Sequence, residues 1–205
     1  YNPIDRAKID QIKANTAFFD DNFVNFVTVG RLDDGKNQRL LIISISHMKN
    51  TSLRLYIFGD GDNYNELLEL IAYLKLESQV FLMGYKENIF EFLKGADCFL
   101  FGSRHEGFPN VLIEALACQL PIISTNCKSG PDEILMGEIV ETNILIKTKF
   151  GILVPENNAL LFVEALTDFI ENRAYFIPDQ VALDEKLAPY EMEKILSTYL
   201  SVLTN

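Results

Sequence analysis

Histidine, cysteine, positive charge and long apolar runs are all scarce in this chain, and each shortage closes off a class of protein. The two histidines, His47 and His105, and the three cysteines, Cys98, Cys118 and Cys127, show no metal-ligand spacing, so no metal site is expected. The cysteines lie in or beside apolar segments and are odd in number, which reads as reduced, buried thiols of a cytoplasmic protein. Lys and Arg number 18 against 29 Asp and Glu, a formal net charge of −11. That balance argues against a general nucleic-acid or anionic-membrane surface. Any phosphate held here must be met by a few local cations and backbone dipoles, which suits one small ligand. No apolar run approaches the roughly 18 residues of a membrane span. The start, Tyr1-Asn2-Pro3-Ile4-Asp5-Arg6, has neither an initiator Met nor a signal-peptide core, as expected of a piece of something longer.

What is present is an ordinary globular composition: 205 residues, 48% hydrophobic and 23% charged. Short apolar runs with strand character, at 23–29, 53–58, 80–83, 98–101, 122–124 and 152–154, alternate with helical periodicity. The helical segments are 38–48, 63–76, 89–93, 110–118 and 158–171. This β-α-β-α order with near-continuous apolar strands predicts an α/β fold: a doubly wound, Rossmann-like parallel sheet with helices on both faces. Its ligand crevice then lies at the carboxyl ends of the strands. Residues 1–22 are polar and broken and read as a linker. Residues 23–175 form the α/β domain, and 176–205 a helical tail. Within that tail Met192, Ile195, Leu196, Tyr199, Leu200 and Leu203 make an amphipathic stripe.

The densest chemistry follows the strand at 98–101. Glu106 is delivered to a turn, Gly107-Phe108-Pro109, and a helix begins at Asn110 that carries Glu114. A carboxylate beside the open amides of a helix N-terminus suits a ligand that is both polyhydroxylated and anionic, such as a nucleotide sugar. Seven residues separate the two glutamates, part loop and part helix, so they are not an acid/base couple across one bond. They read as two carboxylates accepting hydrogen bonds from hydroxyls at different depths of one groove. Arg31 and Lys36, in the loop Gly30-Arg31-Leu32-Asp33-Asp34-Gly35-Lys36-Asn37, are cations that a turn can aim into the same crevice, or simply solvated loop charges. That loop is neither a Gly-x-Gly-x-x-Gly fingerprint nor a Gly-Lys-Ser/Thr phosphate loop, which speaks against an oxidoreductase or a nucleotide hydrolase. Gly59 and Gly61 let backbone approach a ligand or make a tight turn, with Asp62 as cap of the next helix. Gly84-Tyr85 borders a nucleobase pocket or is a plain loop. Ser129 and Pro131 read as the cap and first residue of a further helix.

Taken together these residues resemble the donor-binding C-terminal half of the group 1 (family four) retaining glycosyltransferases of GT-B architecture. The resemblance runs through Tyr1-Asn2-Pro3-Ile4-Asp5, Val29-Gly30-Arg31-Leu32, Lys36 and Phe58-Gly59-Asp60-Gly61. It continues through the Glu106 to Glu114 motif, Gly130-Pro131-Asp132-Glu133-Ile134 and Gly151-Ile152-Leu153-Val154-Pro155. It implies that Arg31 and Lys36 hold the donor diphosphate and that Glu106 contacts the transferred sugar. The amides at Gly107, Phe108 and Asn110 then approach sugar and distal phosphate, and Glu114 holds the ribose. Gly59, Gly61 and Tyr85 complete the nucleotide site. It further implies a UDP-linked donor, no bound metal or other cofactor, and a role in surface polysaccharide assembly. The acceptor would be bound by an N-terminal domain of the same polypeptide, without which this segment is expected to be inactive. Any contact with the inner face of the membrane would run through that half. Asp60-Gly61-Asp62 also matches the Asp-x-Asp metal–nucleotide pattern of the other major glycosyltransferase architecture, but a turn explains it more directly. The competing reading from another class is a non-catalytic nucleotide or protein interaction module on the same scaffold.

Overall fold

Alternate residues of the central strands face two separate cores, and this is what builds the three layers. A computed structural model describes residues 3–49, 51–141, 143–177 and 179–203, without the side chains of 198, 199 and 201–203. Tyr1 and Asn2 of the proposed linker, and the Tyr199 and Leu203 side chains of the tail stripe, therefore lie outside the described residues.

In chain order the elements are α1 (Arg6–Gln11), β1 (Val24–Val29), α2 (Gln38–Ser46), β2 (Leu53–Phe58), α3 (Tyr64–Tyr73), β3 (Val80–Gly84), α4 (Phe90–Leu93) and β4 (Cys98–Phe101). Then come α5 (Asn110–Ala117), β5 (Ile122–Thr125), α6 (Pro131–Leu135), β6 (Ile146–Thr148), β7 (Gly151–Val154), α7 (Ala159–Glu171), α8 (Gln180–Leu187) and α9 (Met192–Leu203). The seven strands form one sheet in the order β3-β2-β1-β4-β5-β7-β6. Phe26, Leu55, Ile57, Cys98, Leu100 and Ile152 face α2, α3 and α7 on one side. Val27, Tyr56, Phe58, Phe99, Phe101 and Leu153 face α4, α5, α6 and α8 on the other. The α/β doubly wound fold is thus the one expected.

One strand departs from the expectation. β6 runs antiparallel to β7, with Ile146 opposite Leu153 and Thr148 opposite Gly151. Only Lys149 and Phe150 separate the two strands, a tight hairpin; a parallel partner needs a long crossover. β6 is short and only partly buried, so it lacked the apolar run by which the other strands announce themselves.

The two end segments lie on the body of the sheet. Ile4, Ile9 and Phe19 are buried in the α5-side core, as are Leu183, Leu187 and Tyr190. The Ile4 amide donates to the Tyr190 carbonyl at 2.9 Å, and Arg6 pairs with Asp184 at 2.6 Å. Their apolar residues are too widely spaced to read as core from the sequence.

All three cysteines are reduced and buried. Burial pushes the Cys118 thiol up to about 12 and the Cys98 thiol well above the ordinary range. No described helix is long and apolar enough to cross a membrane.

Candidate functional site

The chain leaves β1 toward β2 and β3 on one side and returns through β4 on the other. This makes the gap between the carboxyl ends of β1 and β4 the switch point of the sheet. β1 and β4 pair directly, Phe26 with Cys98 and Val27 with Phe99. The loops that follow, Gly30–Asn37 and Gly102–Pro109, must therefore meet.

They meet through specific bonds. The buried Asn37 holds a left-handed backbone, φ 52°, and its amide Nδ2 donates to the Gly102 carbonyl at 3.1 Å. The Arg104 amide donates to the Gly35 carbonyl at 2.9 Å. Asp33 Oδ1 accepts from the Lys36 amide at 2.9 Å and so shapes the turn. Lys36 Nζ then lies 2.5 Å from Glu106 Oε1, with side-chain exposures of 28% and 11%. The ammonium also stands 5.9 Å from the Phe101 ring centroid. The third wall is the loop after β5: residues His105 and Lys128 form a β-bridge, and the Glu106 amide donates to the Lys128 carbonyl at 3.4 Å. Cys127 lies beneath it, its thiol pushed up to about 12 by burial first and by Glu106 and Glu156 second.

α5 starts directly after Pro109, which has no amide to offer. Its N-terminus carries the positive end of the helix dipole. Here one expectation needs correction. The Asn110 amide is already bound to the Phe108 carbonyl at 3.0 Å, so it is not available to a donor in this state. Instead the Asn110 side-chain Oδ1 is buried without a hydrogen-bond partner. The Phe108 ring packs 5.8 Å from that of Tyr190, turned to the end segment; Gly107 is exposed.

Glu114 sits on the second turn of α5, half-buried. It shares a cavity of about 90 Å³ with Asn110, Ile113, Pro3 and Ile4. Burial raises its carboxyl above the ordinary glutamate range. The fold thus favours the protonated form, and ionising it costs stability. The penalty is absent below about pH 4.3, grows as pH rises through the raised folded value, and is constant above. Glu114→Gln removes it, so this variant is expected to melt at a higher temperature than wild type at pH 7. The gain should fade as pH falls through the raised folded value and be gone below about pH 4.3. Thermal scans at several pH values check this, and equal melting at pH 7 would contradict it.

Other predicted site residues stand apart. Arg31 is 76% exposed on its side chain and pairs with Asp33 at 3.3 Å, so it is not brought against Glu106. Tyr85 is 75% exposed beyond β3, two strands from β1. Gly59 and Gly61 pack against the backbone of Gly30 and Leu32; they position the cation-bearing loop. Asp62 does not cap α3: the N-cap is Asn63, whose Nδ2 donates to Asp34 Oδ1 at 2.9 Å. α6 begins at Pro131 as expected, but its cap residue is Gly130 at φ 116°, not Ser129. Among the described residues no group of three or more His, Cys, Asp or Glu could hold a metal ion. Sequence reasoning missed Asn37 and Asp33. An Asp three residues before Lys36 is an Asx-turn pattern, and an Asn before a helix is a candidate for φ above zero; both signals were present.

Fold and site together define an α/β domain in which Lys36 and Glu106 meet at the switch point of the sheet, beside the N-terminus of α5. The family model described as Glycosyl transferases group 1 matches residues 8–188, and the chain belongs to that family. It is 48% identical over 123 residues to an uncharacterized glycosyltransferase of Methanocaldococcus jannaschii, covering 59% of this chain and 30% of that protein. It is 37% identical over 172 residues to the N-acetylgalactosamine-N,N'-diacetylbacillosaminyl-diphospho-undecaprenol 4-alpha-N-acetylgalactosaminyltransferase of Campylobacter jejuni, covering 84% and 44%. The solved structure of Anabaena HepE in complex with UDP superimposes with a TM-score of 0.75 at 21% identity, over 89% of this chain and 49% of that one. The chain thus spans less than half the length of these proteins.

Proposed function

We propose that this chain is the donor-binding domain of a retaining glycosyltransferase that takes a sugar from a UDP-linked donor. The acceptor is a glycan or lipid-linked glycan of surface polysaccharide assembly. The observation that carries the reading is the contact of Lys36 with Glu106 at the switch point, with Glu114 on the second turn of the α5 helix that follows. In this reading the diphosphate lies between the two glutamates. Lys36 neutralises it, Arg31 swings in from solvent, and the positive end of the α5 dipole faces its distal phosphate. Glu106 accepts from the transferred sugar's hydroxyls and Glu114 from the ribose.

Departure of the diphosphate leaves an oxocarbenium-like sugar, so the chief contribution of these residues is to stabilise leaving-group charge that is already preorganised for. The alpha linkage in the name of the Campylobacter relative is the product expected when an α-linked donor reacts with retention. The UDP in the Anabaena structure supports the nucleotide. No resident cofactor or metal is assigned in this reading, since Lys36, Arg31 and the helix dipole are the counter-charge. Acceptor binding belongs to an N-terminal domain of the same polypeptide, which also makes any contact with the inner face of the membrane. The segment by itself is inactive in transfer.

Calorimetric titration tests the donor site. UDP should bind while NAD does not. Glu114→Ala should weaken UDP by roughly tenfold or more, since hydrogen bonds to a charged group are lost. The same change should leave inorganic pyrophosphate unaffected. Absence of UDP binding would favour the interaction-module reading instead.

A further inference from the structure

Glu106 has one counter-charge. Among the described residues its carboxylate has no hydrogen bond or ion pair other than the 2.5 Å contact with Lys36. Its side chain is nearly buried, and its neighbour on the third wall is the neutral, buried Cys127 thiol, itself pushed up in part by Glu106. Arg31 pairs with Asp33 instead, and His105 and Lys128 bridge to one another through their backbones. Lys36 is therefore already spent before any ligand arrives. A phosphate that draws the ammonium away leaves a poorly solvated carboxylate uncompensated, which is costly. A sugar carrying hydroxyls to Glu106 offsets that cost; a bare nucleoside diphosphate does not.

We infer that the Lys36–Glu106 pair is a specificity device of the donor site: it penalises binding of a nucleoside diphosphate without its sugar. Lys36 and Glu106 thereby make recognition of the diphosphate and of the transferred sugar mutually dependent, and the pair re-forms as the spent nucleotide leaves. This rests on the donor-site reading above and adds to it a reason for the product to be released.

The test is a cycle of four proteins, wild type, Glu106→Gln, Lys36→Ala and the double variant, each titrated with UDP. Glu106→Gln should bind UDP more tightly than wild type, by roughly tenfold for a close charge pair. Simple removal of a negative charge near a phosphate would also tighten binding, but it would do so with or without the lysine. Under the inference the gain shrinks to about twofold or less when Glu106→Gln is introduced into the Lys36→Ala protein. An unchanged or weaker affinity in Glu106→Gln overturns the inference, and so does a gain of equal size in both backgrounds. Thermal unfolding of the same four proteins without ligand reports the pair itself. Effects that are non-additive support it, and additive effects overturn it. If wild type binds no UDP, the donor-site reading fails along with the inference. The unfolding cycle separates that failure from absence of the pair.

Discussion

Under the proposed function, in a polypeptide that also carries the proposed acceptor-binding half, Lys36→Ala is expected to lower the rate of sugar transfer by about 10²- to 10³-fold. That range is typical of removing one preorganised group that stabilises charge developing in a transition state. The mechanism is double. On that reading the departing diphosphate loses a counter-charge, and Glu106, 11% exposed, loses its partner. Arg31 is too exposed, and too far committed to Asp33, to substitute fully. Turnover measured with saturating donor separates this from weakened binding: kcat should fall, rather than KM alone rising. A variant within about threefold of wild type in kcat would remove Lys36 from the mechanism.

The second large effect falls on stability. Gly59→Ala is expected to destabilise the fold by about 3 kcal/mol or more, through both strain and backbone clash. Gly59 has φ 136°, outside the range side chains accept, and an added Cβ would lie 1.9 Å from the Gly30 carbonyl oxygen. The atoms it meets are backbone, not a flexible side-chain tip that can bend aside. Relief requires moving the Gly30–Asn37 loop, and with it Lys36. A drop in melting temperature of about 6–12 °C follows from that energy in a chain of this size. Gly107→Ala is the control, because nothing lies within 4 Å of its added Cβ. Equal melting of the two variants would refute the packing role assigned to Gly59.

The strands were legible because they are buried on both faces. A central parallel strand has no solvent side, so β1, β2, β4 and β5 appear as apolar runs that no surface segment would carry. β6 was invisible for the opposite reason: an edge strand of three residues with one face in solvent needs no such run. The packing of the chain's ends was illegible for a related reason. Ile4, Ile9 and Phe19 are buried one at a time, and isolated apolar residues have no periodicity to detect. Helix caps failed at Asp62 and Ser129 because several polar residues precede each helix, and the backbone geometry of the loop chooses among them.

For the site, sequence alone determined the chemistry available: a glutamate after β4, a helix opening behind it, a second glutamate on that helix, and a lysine after β1. These depend on residue type and local spacing, which the chain carries wherever it folds. Tertiary structure decided which of them meet. Pairing of β1 with β4 brings Lys36, 70 residues away in sequence, onto Glu106. The same packing turns Arg31 to Asp33, leaves Tyr85 in solvent and makes Gly59 a spacer for the loop. Such contacts depend on strand order and on the bonds that tie loops together across the sheet, and neither is written at any single position of the sequence.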